Sequence, residues 1–134
     1  MVKRNFRIRS HKRAPVNVPV MIIRGGAASE AVMRELSRGG ALIESDERLD
    51  PAEPVVLGFR LKAIPEVIEV PVEVVYTRSP VEDGRIKKRF GYGVKFGEMS
   101  EEMAARIDSY VKTERLFGDL AAALTEARAR RERE

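Results

Sequence analysis

The segment Val16-Asn17-Val18-Pro19-Val20-Met21-Ile22-Ile23 begins a series of short apolar runs that together decide the fold. In this segment branched apolar side chains fall at every second position, which is typical of a strand with one buried face. Proline has no N–H to donate to a sheet, so Pro19 is predicted to lie at an edge or in a bulge. The segment is therefore predicted to be the first strand of a sheet.

Five further runs follow, separated by turn residues, at positions 31–36, 41–44, 55–61, 67–77 and 91–96. The run at 31–36 could also form a helical turn, and Pro71 within the long valine-rich run is predicted to mark a bulge. Glycine, proline and acidic residues predict turns at 25–29, 37–40, 50–54 and 82–85. Six short strands joined by turns favour a mainly β fold, a small six-stranded antiparallel barrel.

The pattern changes to a helix after residue 99. Ser100 is a predicted N-cap, two acids follow it in the first turn, and an apolar face is expected to pack on the barrel. Beyond Gly118 a second stripe of leucine and alanine is predicted to be a packing or frayed extension, with a dimerising coiled coil as the alternative. The predicted organisation is an arm at 1–15, a barrel at 16–99, and a helix with a charged tail at 100–134.

The charge distribution points to an anionic partner near the N-terminus. The 134 residues carry a net charge of +4, but residues 1–24 hold seven basic side chains and no acid. The rest of the chain is therefore slightly acidic, and the positive field is local to the arm. A solvated flexible tail is the plain alternative.

The composition argues against an enzyme. There is no cysteine and a single histidine, His11, so disulfide frameworks, thiolate zinc sites and the common catalytic triads are not expected. We therefore predict no catalytic residue, no metal and no cofactor. No apolar run approaches membrane-spanning length and no secretory signal is evident, so a cytoplasmic protein without membrane association is expected.

Two motifs carry the functional prediction. Arg9 and Arg13 lie four residues apart just before the first strand, and Glu35-Leu36-Ser37-Arg38-Gly39-Gly40 follows about twenty residues later. Arginine forks bind phosphates bidentately and also lie flat on aromatic rings. A short polar turn can read a base edge, and glycine lets a ligand approach the backbone. Together they predict a site for a compact, doubly charged ligand with planar bases.

In this order the motifs resemble those of the PilZ domain family, bacterial receptor modules for cyclic di-GMP. The family pattern is an arm with two arginines four apart, a strand, a turn of the form Asp/Asn-x-Ser-x-x-Gly, a six-stranded barrel and a closing helix. The closing strand at 91–96 and Met99-Ser100-Glu101-Glu102 also resemble the family. The similarity runs from about Arg9 to Val111.

The resemblance implies a role for each motif residue. Arg9 and Arg13 would bind the phosphates and guanine faces of one or two cyclic di-GMP molecules. Ser37 would hydrogen-bond the guanine or phosphate, and Gly40 would keep the turn tight. The arm would close over the ligand, and this change would signal to an unidentified protein effector in motility, biofilm or secretion control.

Neighbouring residues are given smaller roles. Lys12 and Arg38 would add phosphate contacts, whereas His11 is expected to be an exposed arm residue. The basic run 87–89 is predicted to be a solvated hairpin tip. Three strand aromatics are predicted to pack in the core: Tyr76, Tyr92 and Phe96.

Glu35 departs from the family pattern, which has Asp or Asn at this position. Glutamate keeps an acceptor for the guanine N1–H and N2–H₂ edge, but it is one methylene longer. Binding is expected to survive this change, with or without a loss of affinity. Two other functions stay open: a PilZ-like adaptor that binds protein only, and a barrel that binds single-stranded nucleic acid through the basic arm, for which few aromatics are present. A nucleic-acid polymer is not the expected partner, and a monomer or a dimer is possible.

Overall fold

The computed structural model describes residues 12–81 and 89–133. It confirms a closed antiparallel barrel in the order β1-β2-β3-β6-β5-β4, followed by one helix. The elements are β1 (Ala14–Arg24), β2 (Ala27–Leu36), β3 (Gly40–Ser45), β4 (Val55–Phe59), β5 (Ile68–Val81), β6 (Arg89–Phe96) and α1 (Glu101–Arg133). Most of the predicted arm, including Arg9 and His11, and the predicted turn at 82–85 lie outside the described residues.

The turn between β1 and β2 is shorter than the sequence suggested. It consists of Gly25 and Gly26, whose φ angles are 49° and 87°, and Ala27 already pairs with Arg24. A two-residue hairpin turn that matches strand twist needs positive φ at both central positions, which glycine adopts without steric cost. The predicted loop at 25–29 was therefore wrong in its second half, which belongs to β2.

The two prolines within predicted strands, Pro19 and Pro71, are both regularly paired and do not mark bulges. β1 shifts register between Pro15 and Val18, and Pro71 pairs regularly with Val56. The bulge predicted at Pro71 is therefore wrong. Pro19 is paired with β2, but the ladder between β1 and β4 begins only at Val20. Pro19 thus lies at the open end of that ladder, where a missing N–H costs no hydrogen bond.

The core fills the barrel and extends under the first turns of α1. The largest fully buried side chains are Ile22, Met33, Leu36, Ile43, Leu57, Val70, Ile107 and Val111. Ser100 caps the helix as predicted, because its Oγ accepts a hydrogen bond of 3.0 Å from the amide of Met103. The helix packs on the barrel with the face that carries Ile107 and Val111.

The second half of α1 differs from the prediction. The helix continues through Gly118 without a break, and Leu116, Phe117, Leu120 and Leu124 are each more than half exposed. Among the described residues this stripe packs on nothing, so the packing role predicted for it is wrong there, and the dimerising coiled coil stays a prediction. Within residues 12–81 and 89–133, no helix is both long and apolar enough to cross a membrane.

Candidate ligand-binding site

Arg13 and Glu35, two of the predicted ligand residues, contact each other. The register of β1 on β2 pairs Pro15 with Glu35 and Ala14 with Leu36, which brings Arg13 to the end of β2. Arg13 Nη1 lies 3.0 Å from Glu35 Oε1, and the two side chains remain 27% and 33% exposed. The candidate site therefore contains an ion pair that solvent and ligands can reach.

Tyr76 of β5 completes a cluster with this pair. Arg13 Nη1 donates a second hydrogen bond of 3.5 Å to Tyr76 Oη, at the outer limit for such a bond. Burial alone would lower the pKa of Arg13, but the hydrogen bonds to Tyr76 and Glu35 raise that pKa above its usual value. The guanidinium therefore stays charged and ready to bind an anion.

The position of Tyr76 corrects the sequence prediction, which placed this ring in the core. Its side chain is 37% exposed, whereas Tyr92 and Phe96 are buried as predicted. The register of β5 on β6 shifts between Val74 and Tyr76, so the alternation that buries Val72 does not carry through to Tyr76. The bulge thus turns this aromatic side chain outward, toward Arg13.

Gly93 of β6 lies directly beneath the Tyr76 ring. The two residues are paired across β5 and β6, and a Cβ built on Gly93 would lie 2.1 Å from a ring carbon of Tyr76. A side chain at this position would lift the ring from the sheet. A glycine in a strand often marks a close approach, and this was the signal in the sequence that could have indicated Tyr76.

Ser37 holds the turn between β2 and β3. Its Oγ accepts hydrogen bonds from the amides of Gly39 and Gly40 at 3.2 and 3.1 Å, and the Ser37 amide donates to the Gly40 carbonyl at 2.8 Å. A serine hydroxyl commonly closes turns in this way. The residue is 8% exposed. Its predicted contact with a ligand stays a prediction, and the structure gives the hydroxyl a role in shaping the turn.

Gly40 has a packing reason to be glycine. A Cβ built there would lie 2.2 Å from the carbonyl oxygen of Val94 on β6. In the same turn the amide of Phe96 donates to the Gly39 carbonyl at 2.9 Å. The turn is therefore held against β6 by a close backbone contact that no side chain at position 40 would allow.

The two additional residues predicted for the site differ in their surroundings. Arg38 reaches α1, where its guanidinium lies 3.3 Å from a carboxylate oxygen of Glu101 and 4.0 Å from one of Asp108. Lys12 is exposed. In this structure Arg38 thus joins the turn to the helix, and Lys12 stands at the edge of a groove.

That groove runs between the start of β1 and the middle of α1. It has a volume of about 620 Å³, within the range of small-molecule sites, and its lining carries both signs of charge. The lining residues are Lys12, Arg13, Pro15, Glu114, Arg115, Gly118 and Asp119. A more apolar groove of about 360 Å³ lies around Met21, Phe59 and Val67 and includes no predicted site residue. The described residues contain no cluster that could hold a metal ion.

Comparison with known proteins assigns the family. The family model for the PilZ domain matches residues 7–113, most of the chain. The chain belongs to the PilZ domain family. No curated protein matches it.

Solved structures similar to this PilZ domain show the same fold. The PilZ domain of YcgR from Escherichia coli, solved with c-di-GMP, is 12% identical with a TM-score of 0.65, over 87% of this chain and 98% of that one. The Bacillus subtilis inhibitor of motility MotI is 19% identical with a TM-score of 0.64, over 86% of this chain. PlzA from Borreliella burgdorferi, in complex with c-di-GMP, is 19% identical with a TM-score of 0.51, over 77% of this chain. This chain spans 52% of the MotI chain and 40% of the PlzA chain.

Proposed function

We propose that this PilZ domain is a non-catalytic receptor for cyclic di-GMP that relays the presence of the ligand to a protein partner. Family membership supports the proposal, as do the two solved relatives that hold c-di-GMP. The observation on this chain that carries it is the cluster of Arg13, Glu35 and Tyr76 beside an open groove. These are a cation, an acceptor and an aromatic ring, which suit the phosphates, base edges and base faces of a cyclic dinucleotide.

Each group in the cluster suits one part of the ligand. The guanidinium of Arg13 can bind a phosphate in a bidentate manner or stack on a guanine. The exposed ring of Tyr76 offers a face for a base, an interaction that proteins use widely for single-stranded nucleotides. The carboxylate of Glu35 can accept hydrogen bonds from the guanine N1–H and N2–H₂ edge. Arg9 would add a second guanidinium from the arm.

The second candidate function is an adaptor that binds protein only. The observation in its favour is that both arginines of the site already have carboxylate partners within the chain. Arg13 pairs with Glu35, and Arg38 pairs with two carboxylates of α1. A ligand phosphate would have to displace or share these partners. The two functions differ in one measurable property, which is saturable binding of the nucleotide.

Isothermal titration calorimetry of the whole chain with cyclic di-GMP tests the proposal. We expect saturable binding that Arg13→Ala abolishes or weakens strongly. Arg24→Ala is the matched control, because Arg24, the last residue of β1, is a partly exposed arginine like Arg13 but pairs with Glu47 and Glu53 instead of the cluster. Circular dichroism would verify that both variants fold.

Three outcomes would contradict the proposal or relocate the site. No binding by the natural chain would favour the adaptor. Equal loss of binding in Arg13→Ala and Arg24→Ala would mean that binding depends on the total positive charge of the domain and not on a contact with Arg13. Competition by a single-stranded oligonucleotide that depends steeply on salt would favour a nucleic-acid barrel instead.

A further inference from the structure

The second half of α1 presents an apolar stripe that no other part of residues 12–81 and 89–133 covers. The stripe consists of Leu116, Phe117, Leu120 and Leu124, which are 67%, 61%, 52% and 58% exposed. An α-helix turns by about 100° per residue, so Leu120, in the middle of the stripe, lies about 180° around the helix from the buried Val111. The stripe therefore faces away from the barrel and is not an extension of the face that packs on it.

A helix of this kind needs support from a partner. Val111 is the last buried residue of α1, and the helix continues to Arg133. Helical stability in proteins comes mainly from packing of an apolar face, and contiguous exposed apolar patches mark interaction sites. The twenty or so residues beyond Val111 have such a face and leave it in solvent.

Three of the four stripe residues, Phe117, Leu120 and Leu124, lie on a short heptad seam. Intervals of four and three alternate along one line of residues: Thr113, Phe117, Leu120, Leu124, Ala127 and Arg131. This seam covers about two and a half heptads. It is therefore long enough to form a weak helix pair but too short for a very stable one.

We propose that this seam pairs with the same seam of a second copy of the chain, with the two helices antiparallel. In that arrangement Phe117 packs opposite Ala127 and Leu120 opposite Leu124, each layer occurring twice about the two-fold axis. A large side chain therefore packs against a small one in the first kind of layer, and two side chains of equal size pack in the second. Two alanines beside the seam, Ala121 and Ala123, let the helices approach closely.

Charge complementarity selects a second copy in this orientation. The antiparallel register places Glu114 of each helix beside Arg128 of the other, so two ion pairs flank the apolar layers. It also places Arg131 opposite the uncharged Thr113 of the partner helix. A parallel pair would instead put Arg131 against Arg131 in the seam and leave Glu114 without a cation opposite.

Sedimentation equilibrium of the full chain over a concentration series tests the association. We expect a reversible monomer–dimer equilibrium that Leu124→Arg weakens by at least about tenfold in dissociation constant, a change of about 1.4 kcal/mol. Ala122→Arg is the matched control, since position 122 is exposed and lies on the opposite side of the helix from Leu124. A monomer at every concentration, or equal effects of the two variants, overturns the proposal.

A charge exchange tests the pairing of Glu114 with Arg128. Glu114→Arg and Arg128→Glu should each weaken the dimer, and the double variant should restore it, since the ion pair is then reversed. A double variant that dimerises no better than either single one contradicts the proposed register.

Cysteine cross-linking tests the orientation. The chain has no cysteine, so an introduced one is its only thiol. In the antiparallel pair position 121 lies beside its own copy near the two-fold axis, whereas position 127 faces Phe117 of the partner. We expect Ala121→Cys to form a disulfide dimer faster than Ala127→Cys under mild oxidation. The reverse order would indicate a parallel pair and overturn the proposal.

Discussion

Replacing Glu35 by aspartate should strengthen cyclic di-GMP binding. In the structure the carboxylate of Glu35 holds Arg13 at 3.0 Å, so a ligand phosphate competes with this carboxylate for the guanidinium. Aspartate is one methylene shorter and cannot reach Arg13 at that distance from the same backbone position. The variant therefore frees Arg13 for the ligand and retains an acceptor for a guanine edge.

The size of the effect follows from the exposure of the pair. Both side chains are about a third exposed, so the ion pair has the strength of a surface pair, about 0.2–1 kcal/mol. Removing that competition should raise the affinity by about 1.4- to 5-fold. The gain should shrink at high salt, because salt screens exposed charges.

Calorimetric titration of the natural chain, Glu35→Asp and Glu35→Gln at low and high salt would measure this effect. Glu35→Gln keeps the length of the side chain and removes its charge, so it should also bind more tightly if competition for Arg13 is the cause. A gain in Glu35→Asp alone would attribute the effect to the geometry of guanine recognition. A clear loss of affinity in both variants would refute the reasoning, because the carboxylate of Glu35 would then contribute more to ligand binding than it removes by competing for Arg13.

Three further predictions concern the barrel and the site. Gly40→Ala should lower the free energy of unfolding by about 1–3 kcal/mol in denaturant titrations, because its Cβ would lie 2.2 Å from the Val94 carbonyl oxygen; an unchanged midpoint would contradict this packing role. Tyr76→Ala should weaken cyclic di-GMP binding by about 5- to 150-fold if its ring stacks on a base, and calorimetry would show an unchanged affinity if it does not. Burial and the nearby charge of Glu114 raise the pKa of Tyr110, so its folded form favours the protonated phenol. Stability from this residue is then present below about pH 10 and lost as the pH rises through the raised pKa, so Tyr110→Phe should melt at a relatively higher temperature above about pH 10 than near neutral pH.

The sequence predicted the barrel because its strands carry period-two apolar patterns separated by turn residues. The first strand, the closing strand and the Ser100 cap were all predicted and confirmed. Residues 27–29 were missed as part of β2, since Ala27, Ala28 and Ser29 have no strand preference of their own. They join the sheet because the Gly25-Gly26 turn fixes the register of the hairpin.

The sequence selected some residues of the candidate site and missed Tyr76, because a bulge in β5 decides where Tyr76 points. Arg13, Glu35 and the turn at Ser37 could be selected by order along the chain. Tyr76 could not, because strict alternation from Val72 turns position 76 inward, and only the extra residue of the bulge turns it outward. A sequence pattern shows the period of a strand but not the position at which a bulge interrupts that period.

The contact between Arg13 and Tyr76 depends on the strand residues that lie between them. A row of paired residues runs across four strands from Glu35 through Leu42 and Gly93 to Tyr76. Three strand spacings of about 4.8 Å separate the ends of that row by about 14 Å, so only long side chains that lie flat on the sheet can bridge them. Gly93 provides the flat surface, since any Cβ there would collide with the Tyr76 ring. Gly93 is therefore as much a part of the candidate site as the arginine, although it presents no group of its own to a ligand.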